Sequence, residues 1–369
     1  MKVNTVRSKF LGGINAVKDV VKGDDEANPL RYVKIETMGT DSVLLTGSNG
    51  DVQVTSRVFC EVVEDGRCAL AGSYLTRFVG GLAEGPVGFR LDDSRAFISG
   101  GGAKFSLATG DVEAYPVMKG PSDGRPGYAT FPLPAATLGS MLGMTSFAAC
   151  QDRTRSIVCG VNMSAENGWL RMCALDGRRL ALASVDAALP CENLSATVPN
   201  AAVAVLQKLL KKFPDGDVLV QVDDMAARFT APLWSVTTKL VADVFPEFRR
   251  AIPKECAHEV AFDREIFLEV LRRVALGSYG CGDGAVKVCL DGGYATLEAR
   301  SAVSFAKELM EVAYDAEKFA FKVNPDVMSS VVERVPGKEF RLGFSGPTDP
   351  LRIACDGTYV GVVMPLREV

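Results

Sequence analysis

The chain has 369 residues, of which 47% are apolar and 23% charged, and its formal net charge at pH 7 is -4. This length exceeds what one hydrophobic core usually supports, so we expect two or three domains in a globular protein of ordinary composition. Apolar runs are too short to span a membrane and residues 1–10 lack the apolar stretch of a signal peptide, which predicts a cytoplasmic protein without a membrane partner. The net charge does not decide for or against nucleic acid, because it does not locate the charges.

The sequence gives little support for a metal site or for disulfide bonds. The sequence holds ten cysteines, one histidine (His258) and no CxxC pair. Five of the cysteines lie in apolar, strand-like runs, namely Cys60, Cys159, Cys173, Cys289 and Cys355. We therefore expect free buried thiols, no metal site and no cofactor.

Apolar residues at helical spacing predict a helix at three successive places along the chain. They are Phe10, Ile14, Val17 and Val21, then Leu138, Leu142, Met144 and Thr145, and then Phe267, Val270, Leu271 and Val274. A second predicted helix follows in each copy, at residues 73–82, 200–213 and 325–335, so the plan recurs about every 127 residues.

Alternating apolar and polar residues follow each second helix, at residues 85–109, 216–241 and 337–367. This period of two, with polar or glycine-rich turns, predicts antiparallel hairpins with one buried face. The prediction is an α+β chain of three tandem domains, 1–124, 125–253 and 254–369, each with two helices packed on antiparallel sheets. The boundaries lie in the turn-rich stretch 119–127 and after Pro253.

Basic residues concentrate on the predicted helices, whereas Asp92, Asp93, Asp223 and Asp224 fall in predicted turns. The basic residues are Lys18 and Lys22 on the first helix, Lys208, Lys211 and Lys212 opposite the apolar face of the fourth, and Arg264, Arg272 and Arg273 on the fifth. On any single helix such residues are typical of a solvated face. Their repetition favours a shared basic surface.

Three short segments combine apolar residues with arginines: LDGRRLAL, VFPEFRRAIP and the terminal VVMPLR. Together they suggest a groove with an apolar floor and arginines at its rim. The alternative is that VVMPLR is an ordinary edge strand and that the arginine pairs form surface ion pairs.

The order and spacing of four phrases, AKFSLATGDVEAYPVM, LDGRRLALAS, KLVADVFPEFRRAIPK and VVMPLR, give the whole chain a resemblance to a known family. The chain resembles the bacterial DNA sliding clamps, the beta subunit of DNA polymerase III. The resemblance implies a head-to-tail homodimeric ring of three-domain subunits, with twelve helices lining a hole for double-stranded DNA. It also implies a non-catalytic processivity factor that tethers the replicative polymerase.

The resemblance further implies a cleft between the second and third domains that binds short peptides of the polymerase, the clamp-loader ATPase and other proteins with a clamp-binding motif. Its residues here would be Val158, Leu175, Gly177, Arg178, Arg179, Leu180, Pro246, Arg250, Ala251, Val362, Val363, Met364, Pro365, Leu366 and Arg367. Leucine and phenylalanine anchors of a peptide would bury against the apolar members, and the arginines would fix its polar groups.

The dimer interface implied by the family joins the first domain of one subunit to the third domain of the other. The matching residues are Phe105 and Leu107 on one side and Ala275 and Leu276 on the other, with Arg95 and Lys104 able to pair with Glu298, Glu308 or Glu311. Two such head-to-tail contacts close a ring.

Enzymatic function has no supporting motif, since the chain lacks a GxxxxGK[ST] loop and the glycine-rich segment 277–284 lacks dinucleotide spacing. GFSGP departs from the GxSxG elbow, and His258 has no evident catalytic partner. Two alternatives stay open: an enzyme whose carboxylates, such as Asp92 and Asp223, converge only in three dimensions, and a clamp-like paralogue that serves a different replisome.

Overall fold

A computed structural model describes residues 1–21, 23, 28–187, 194–278 and 284–367. Across these residues one order of elements occurs three times: a strand, a helix, four or five strands, a second helix and three strands. The first copy contains β1 (Lys2–Val6), α1 (Arg7–Val17), β2 (Tyr32–Met38), β3 (Ser42–Ser48), β4 (Val52–Phe59), β5 (Glu61–Glu64), β6 (Arg67–Ala71), α2 (Gly72–Gly81), β7 (Pro86–Asp92), β8 (Arg95–Gly100) and β9 (Ala103–Ala108).

The second and third copies follow the same plan. The second contains β10 (Ala129–Pro134), α3 (Ala135–Thr145), β11 (Gly160–Glu166), β12 (Trp169–Leu175), β13 (Arg179–Asp186), β14 (Leu194–Pro199), α4 (Asn200–Lys212), β15 (Asp217–Val222), β16 (Ala226–Ala231) and β17 (Trp234–Lys239). The third contains β18 (His258–Asp263), α5 (Arg264–Ala275), β19 (Val286–Asp291), β20 (Tyr294–Arg300), β21 (Phe305–Glu311), β22 (Phe319–Val323), α6 (Pro325–Val332), β23 (Glu339–Phe344), β24 (Leu351–Cys355) and β25 (Tyr359–Val363).

The predicted α+β class and the two helices per copy are confirmed, and the largest differences are at the ends of two helices. Helix α1 ends at Val17, and Lys18–Val20 form a short 3-10 turn, so Lys18 lies in that turn rather than on the α-helix. Helix α6 ends at Val332, three residues before the predicted end. Lys22 lies outside the described residues. Within the described part of the chain, no helix is long and apolar enough to cross a membrane.

The chain divides into two compact units, one of residues 1–136 and 204–240 and the other of residues 137–203 and 241–369. The first contains a five-stranded sheet, in the order β5-β1-β7-β8-β9, and an eight-stranded sheet, in the order β10-β15-β16-β17-β4-β3-β2-β6. The second contains an eight-stranded sheet, in the order β14-β11-β12-β13-β25-β24-β23-β18, and a four-stranded sheet, in the order β21-β20-β19-β22.

Each eight-stranded sheet joins strands from two successive copies. In the first unit β17 pairs antiparallel with β4, and Trp234 lies opposite Ser56. In the second unit β13 pairs antiparallel with β25, and Leu180 lies opposite Val362. Because residues directly opposite each other on antiparallel strands place their side chains on the same face, this register brings distant segments onto one surface.

Helices bury their apolar stripes against these sheets. In the first unit Phe10, Ile14 and Val17 of α1 are buried, and Gly13 lies so close to Val58 on β4 that a Cβ would clash with it. In the second unit α6 approaches β25 at Gly361 in the same way, and the Tyr359 hydroxyl donates to Val331 O at 3.0 Å. Burying one such large apolar side chain stabilises the fold by about 1.5–3 kcal/mol.

Candidate functional site

A hydrophobic cluster in the second unit gathers side chains from three distant parts of the chain. Its buried members are Cys150, Val158, Cys173, Leu180, Phe245, Phe248 and Val362, and the half-buried Ile157, Cys159, Leu175, Leu182 and Ile252 pack against them. We call this set the cluster. It includes Val158, Leu175, Leu180 and Val362 of the residues predicted to form the cleft.

Strand register explains why these residues meet. Leu175 lies opposite Leu180 on the β12–β13 ladder, and Leu180 lies opposite Val362 on the β13–β25 ladder, so the three side chains share one face. The same face continues to Cys173 and then to Asn162, which lies opposite Cys173 on β11. Alternation along four strands thus produces a continuous surface that no single segment contains.

The segment at residues 244–253 covers this face. Phe245 and Phe248 are buried and their rings meet edge to face at 6.3 Å, while Pro246, Arg250 and Ala251 are exposed. The sequence prediction chose the three outward residues and missed the two phenylalanines that anchor the segment. Phe248 begins the 3-10 turn Phe248–Ala251, and no local sequence signal marked the two rings as inward-facing.

The tail after β25 lies alongside the β12–β13 turn. The Met364 N–H donates to Arg178 O at 2.9 Å, and the Leu366 N–H donates to Lys322 O at 2.8 Å. Val363 and Pro365 are buried, Leu366 is half-buried and Arg367 is exposed. Met364 keeps 41% of its surface exposed next to the cluster. It is therefore an apolar side chain at the rim that a ligand could cover.

The β12–β13 turn is fixed by Asp176. Its Oδ1 accepts from the N–H groups of Arg178 at 2.9 Å and Arg179 at 3.1 Å. Gly177 has a φ of 89°, which an L side chain rarely adopts. The Arg155 guanidinium donates to Asp176 O at 2.9 Å and so ties the turn to the loop that carries Val158.

The arginines near the cluster fall into two groups. Arg179 pairs with Asp176 at 3.1 Å, donates to the Ser330 hydroxyl at 2.6 Å and lies over the Phe147 ring at 5.5 Å, so its side chain is held inside the unit. Arg178 and Arg250 are exposed, and their side chains have no hydrogen bond or ion pair among the described residues. They are the two arginines of this set whose side chains are exposed and not engaged by other described residues.

Arg249, which the sequence analysis did not single out, pairs with Glu166 at 2.5 Å and with Glu247 at 3.5 Å. Beneath this pair a cavity of about 430 Å³ opens between the covering segment and strands β11 and β14. Its lining includes Asn162, Ser164, Phe245 and Phe248. The surface beside the cluster is therefore concave and mixed in polarity.

The predicted basic residues of α4 are exposed, and two of the three have partners in the first unit. Lys208 pairs with Asp19 at 2.8 Å, and Lys212 donates to Gly12 O at 3.0 Å. Lys211 is exposed without a bond of its side chain among the described residues. Val203, Leu206 and Leu210 are buried on the opposite face, which confirms the predicted amphipathic pattern of this helix.

The arginines of α5, in the second unit, are held more tightly. Arg264 donates to Val335 O at 2.8 Å, and Arg272 pairs with Glu333 at 2.7 Å. Arg273 donates twice to Glu308, at 3.0 and 2.7 Å; these bonds raise the pKa of Arg273 and lower the pKa of the Glu308 carboxyl. Local carboxylates or carbonyls thus engage all three predicted cations.

The predicted interface residues lie at or near sheet edges. Phe105 and Leu107 belong to β9, the free edge of the five-stranded sheet, and Phe105 stacks on Phe78 at 4.5 Å. In the second unit Ala275 ends α5 and Leu276 is 69% exposed. Of the carboxylates predicted at the interface, Glu308 and Glu311 lie on β21, the edge strand of the four-stranded sheet.

Charged residues predicted to act at that interface differ in their availability. The Arg95 Nε donates to the Ser106 hydroxyl at 2.8 Å, Glu298 lies 4.0 Å from Lys287, and Glu308 holds Arg273. Lys104 and Glu311 are exposed with no side-chain partner in the described ranges.

The carboxylates proposed for an enzyme belong to turns of different sheets. Asp92 and Asp93 lie at the β7–β8 turn, and Asp223 and Asp224 at the β15–β16 turn. Buried Asp223 accepts from backbone N–H groups of Ser122, Met225 and Ala226, so its role is to hold its turn. This separation argues against a shared catalytic centre.

The remaining side chains considered for catalysis or metal binding are His258 and the cysteines. His258 stacks on Phe344 at 5.4 Å. No group of three His, Cys, Asp or Glu side chains able to hold a metal occurs in the described residues, and the eight cysteines described there are free thiols. Most of the segment 277–284 lies outside the described residues.

Known proteins are similar in sequence to this chain, and curated relatives are similar over its whole length. Family models of the DNA polymerase III beta subunit match residues 1–119, as its N-terminal domain, and residues 132–247, as its central domain. The beta sliding clamp of Caulobacter vibrioides is 26% identical over 378 residues, which covers 100% of both chains.

Two solved structures share the fold, each covering 100% of both chains. The sliding clamp of Pseudomonas aeruginosa bound to griselimycin has a TM-score of 0.94 at 24% identity. That of Bartonella birtlesii, also bound to griselimycin, has a TM-score of 0.92 at 25% identity.

Proposed function

The chain belongs to the family of the bacterial DNA polymerase III beta subunit, the sliding clamps, and from this premise we propose that it is a processivity factor. Two copies close head to tail into a ring, double-stranded DNA passes through the hole, and the replicative polymerase is tethered to the ring. The chain carries out no catalysis, and a separate clamp-loader ATPase opens and places it. Its site of action is the bacterial chromosome, in the cytoplasm.

The observation that carries the proposal is the cluster, because its composition suits a protein partner. Its floor is apolar, Met364 lies exposed at the rim, and Arg178 and Arg250 extend beside it. A short peptide with leucine and phenylalanine anchors would bury them against the floor, and the arginines would bind its polar groups. Methionine adapts to differently shaped anchors, which suits a site shared by the polymerase, the loader and other partners.

For DNA we propose contacts that neutralise phosphates without reading bases. Exposed Lys211 and Lys18, with Lys208 and Lys212 after release from weak local partners, fit this role best. Of the α5 arginines, Arg273 contributes least, because two hydrogen bonds to Glu308 would have to break first. Weak, sequence-independent attraction lets a ring move along the duplex.

For ring closure we propose that β9 of one subunit meets β21 of the other subunit. Both are free sheet edges, and unpaired N–H and C=O groups at such edges favour pairing with another chain. Half-buried Phe105 provides an apolar side chain on β9, where Leu107 is buried, and exposed Leu276 does so beside the other edge. Lys104 and Glu311 supply opposite charges for the same contact.

Retention on DNA of different topology tests the proposal. The purified chain should sediment at about twice 39.4 kDa. After loading by a bacterial clamp loader onto nicked circular DNA, it should stay bound in high salt and be released when the circle is cut. A monomer in solution, or equal retention on circular and linear DNA, would contradict the ring.

A further inference from the structure

The loop between α3 and β11 brings two cysteines together. The Cys150 N–H donates to Val158 O at 3.0 Å, and that carbonyl belongs to the peptide unit leading into Cys159. One residue holds both backbones: Asn200 donates from Nδ2 to Cys150 O at 2.8 Å and from its N–H to Cys159 O at 3.1 Å. A single backbone hydrogen bond between the two peptide units keeps their Cα atoms within the span that a disulfide bridges.

The two thiols face a common point. The Cys159 Sγ donates to Asp152 O at 3.0 Å, and the Cys150 Sγ lies 3.9 Å from the same oxygen. Cys150 is 5% exposed and Cys159 is half-buried, so Cys159 is the more accessible sulfur. Both side chains already point to one side of the loop, and rotation about their Cα–Cβ bonds can bring the sulfurs into contact.

We propose that Cys150 and Cys159 form a dithiol modification site, which a low-molecular-weight disulfide such as glutathione disulfide oxidises to an intramolecular disulfide. The Cys159 thiolate attacks one sulfur of glutathione disulfide, the S–S bond breaks, and one glutathione leaves as its thiolate. The Cys150 thiolate then attacks Cys159 Sγ and displaces the second glutathione. The two cysteines lose two electrons and two protons, and one glutathione disulfide becomes two glutathiones.

The local environment sets how fast this exchange runs. Burial, and next the neighbouring Cys150 thiol, raise the pKa of Cys159 above its ordinary value. Because only the thiolate attacks, oxidation should be slow at neutral pH and should speed up as the pH rises. This behaviour suits a site that responds to sustained oxidation.

The disulfide would also change the packing of the cluster. Its expected effect on peptide binding rests on the proposed function. Cys150 and Val158 both pack in the cluster, and Val158 directly precedes Cys159. Forming the bond moves the Cys150 sulfur toward Cys159 and so changes how both side chains pack in the cluster. We expect the oxidised protein to bind an anchor peptide at least about threefold more weakly than the reduced protein.

Peptide mapping tests the site on the wild-type chain. Trypsin cuts after Arg153 and Arg155, between the two cysteines, and leaves Cys150 as the single cysteine of peptide 120–153 and Cys159 as that of peptide 156–171. After incubation with glutathione disulfide at about pH 8.5 and blocking of free thiols, the two peptides should be joined. Dithiothreitol should separate them. Cys256→Ser, which removes another half-buried thiol of the second unit, should leave the link intact.

Several results would overturn the inference. They are the absence of the linked peptide, a persistent glutathione adduct on Cys159, or a link found only in covalent dimers. Cys150→Ser and Cys159→Ser should each abolish the link. Peptide affinity is measured separately on reduced and oxidised protein: equal affinities overturn the effect on docking, whereas no binding to the reduced protein counts against the proposed function alone.

Discussion

The cluster in the second unit and the basic side chains of α4 in the first are both proposed to bind partners, but different forces hold them. The cluster depends on shape, since seven buried side chains from distant segments fit together. The lysines of α4 are exposed, and their bonds, such as Lys208 to Asp19, are surface contacts worth about 0–1 kcal/mol. A docking site made by packing should be fragile toward substitution, whereas an electrostatic surface should tolerate change without loss of fold.

The largest effect should come from the centre of the cluster. Phe248→Ala removes a ring that is 6% exposed and should lower the free energy of unfolding by about 3–4 kcal/mol. Denaturant unfolding measures this. Arg250→Ala, at an exposed position two residues away, should change the value by less than about 0.5 kcal/mol. Similar small losses in both variants would show that the cluster does not pack as described.

The two arginines of the β12–β13 turn differ in whether their side chains have partners within the unit. Arg179→Ala breaks the contacts with Asp176, Ser330 and the Phe147 ring and should lower the free energy of unfolding by about 2 kcal/mol. Arg179→Lys should recover only part, because an ammonium lacks the planar fork that serves several partners. Arg178→Ala is the matched control and should leave stability unchanged. Equal stability of both alanine variants would break the distinction drawn between the two arginines.

Met364, at the rim of the cluster, should contribute to peptide affinity but little to stability. Met364→Ala should weaken binding of an anchor peptide about tenfold, because it removes part of the apolar contact. It should hardly change the unfolding free energy, since the side chain is 41% exposed. Calorimetric titration gives the affinity, with Met225→Ala, an exposed methionine of the first unit, as control. Undiminished affinity would move the docking site away from Met364.

The lysines of α4 should likewise affect binding, here of DNA, without affecting stability. The triple change of Lys208, Lys211 and Lys212 to alanine should alter the unfolding free energy by less than about 1 kcal/mol. It should weaken DNA binding most at low salt, and flatten the salt dependence of binding by up to about 0.9 in log–log slope for each lost phosphate contact, so that the difference from wild type narrows as salt rises. Lys318→Ala, at an exposed residue paired with Asp291, is the control. Identical salt curves would show that these lysines do not contact DNA.

The smallest effect concerns the Arg273–Glu308 pair. Its bonds lower the folded-state pKa of Glu308, so its stabilisation is present above the unfolded-state pKa and disappears as pH falls through the folded-state value. Glu308→Gln should therefore melt slightly below wild type at neutral pH and together with it in strong acid. Melting curves across acidic pH measure the difference. A gap that widens toward acid would contradict this assignment.

Features that depend on neighbouring residues could be predicted from the sequence, whereas features that depend on distant residues could not. Helical spacing and strand alternation are local, so the six helices, the hairpins and their threefold repetition could be predicted from the sequence. Val158, Leu180 and Val362 were found through motifs that resemble a family, not through composition. Phe245 and Phe248 were missed because nothing local distinguishes an inward aromatic residue from the outward Pro246 and Arg250 beside it.

The sequence by itself thus determined the elements, the α+β class and the basic faces of the helices. Only the tertiary structure decided which strands of successive copies pair, as β17 with β4 and β13 with β25. It alone decided that Arg179 is held inside while Arg178 is exposed, and that Cys150 and Cys159 meet at Asn200. The physical reason is that periodicity fixes the face on which a side chain lies, whereas its partner depends on strand register between residues far apart in the chain.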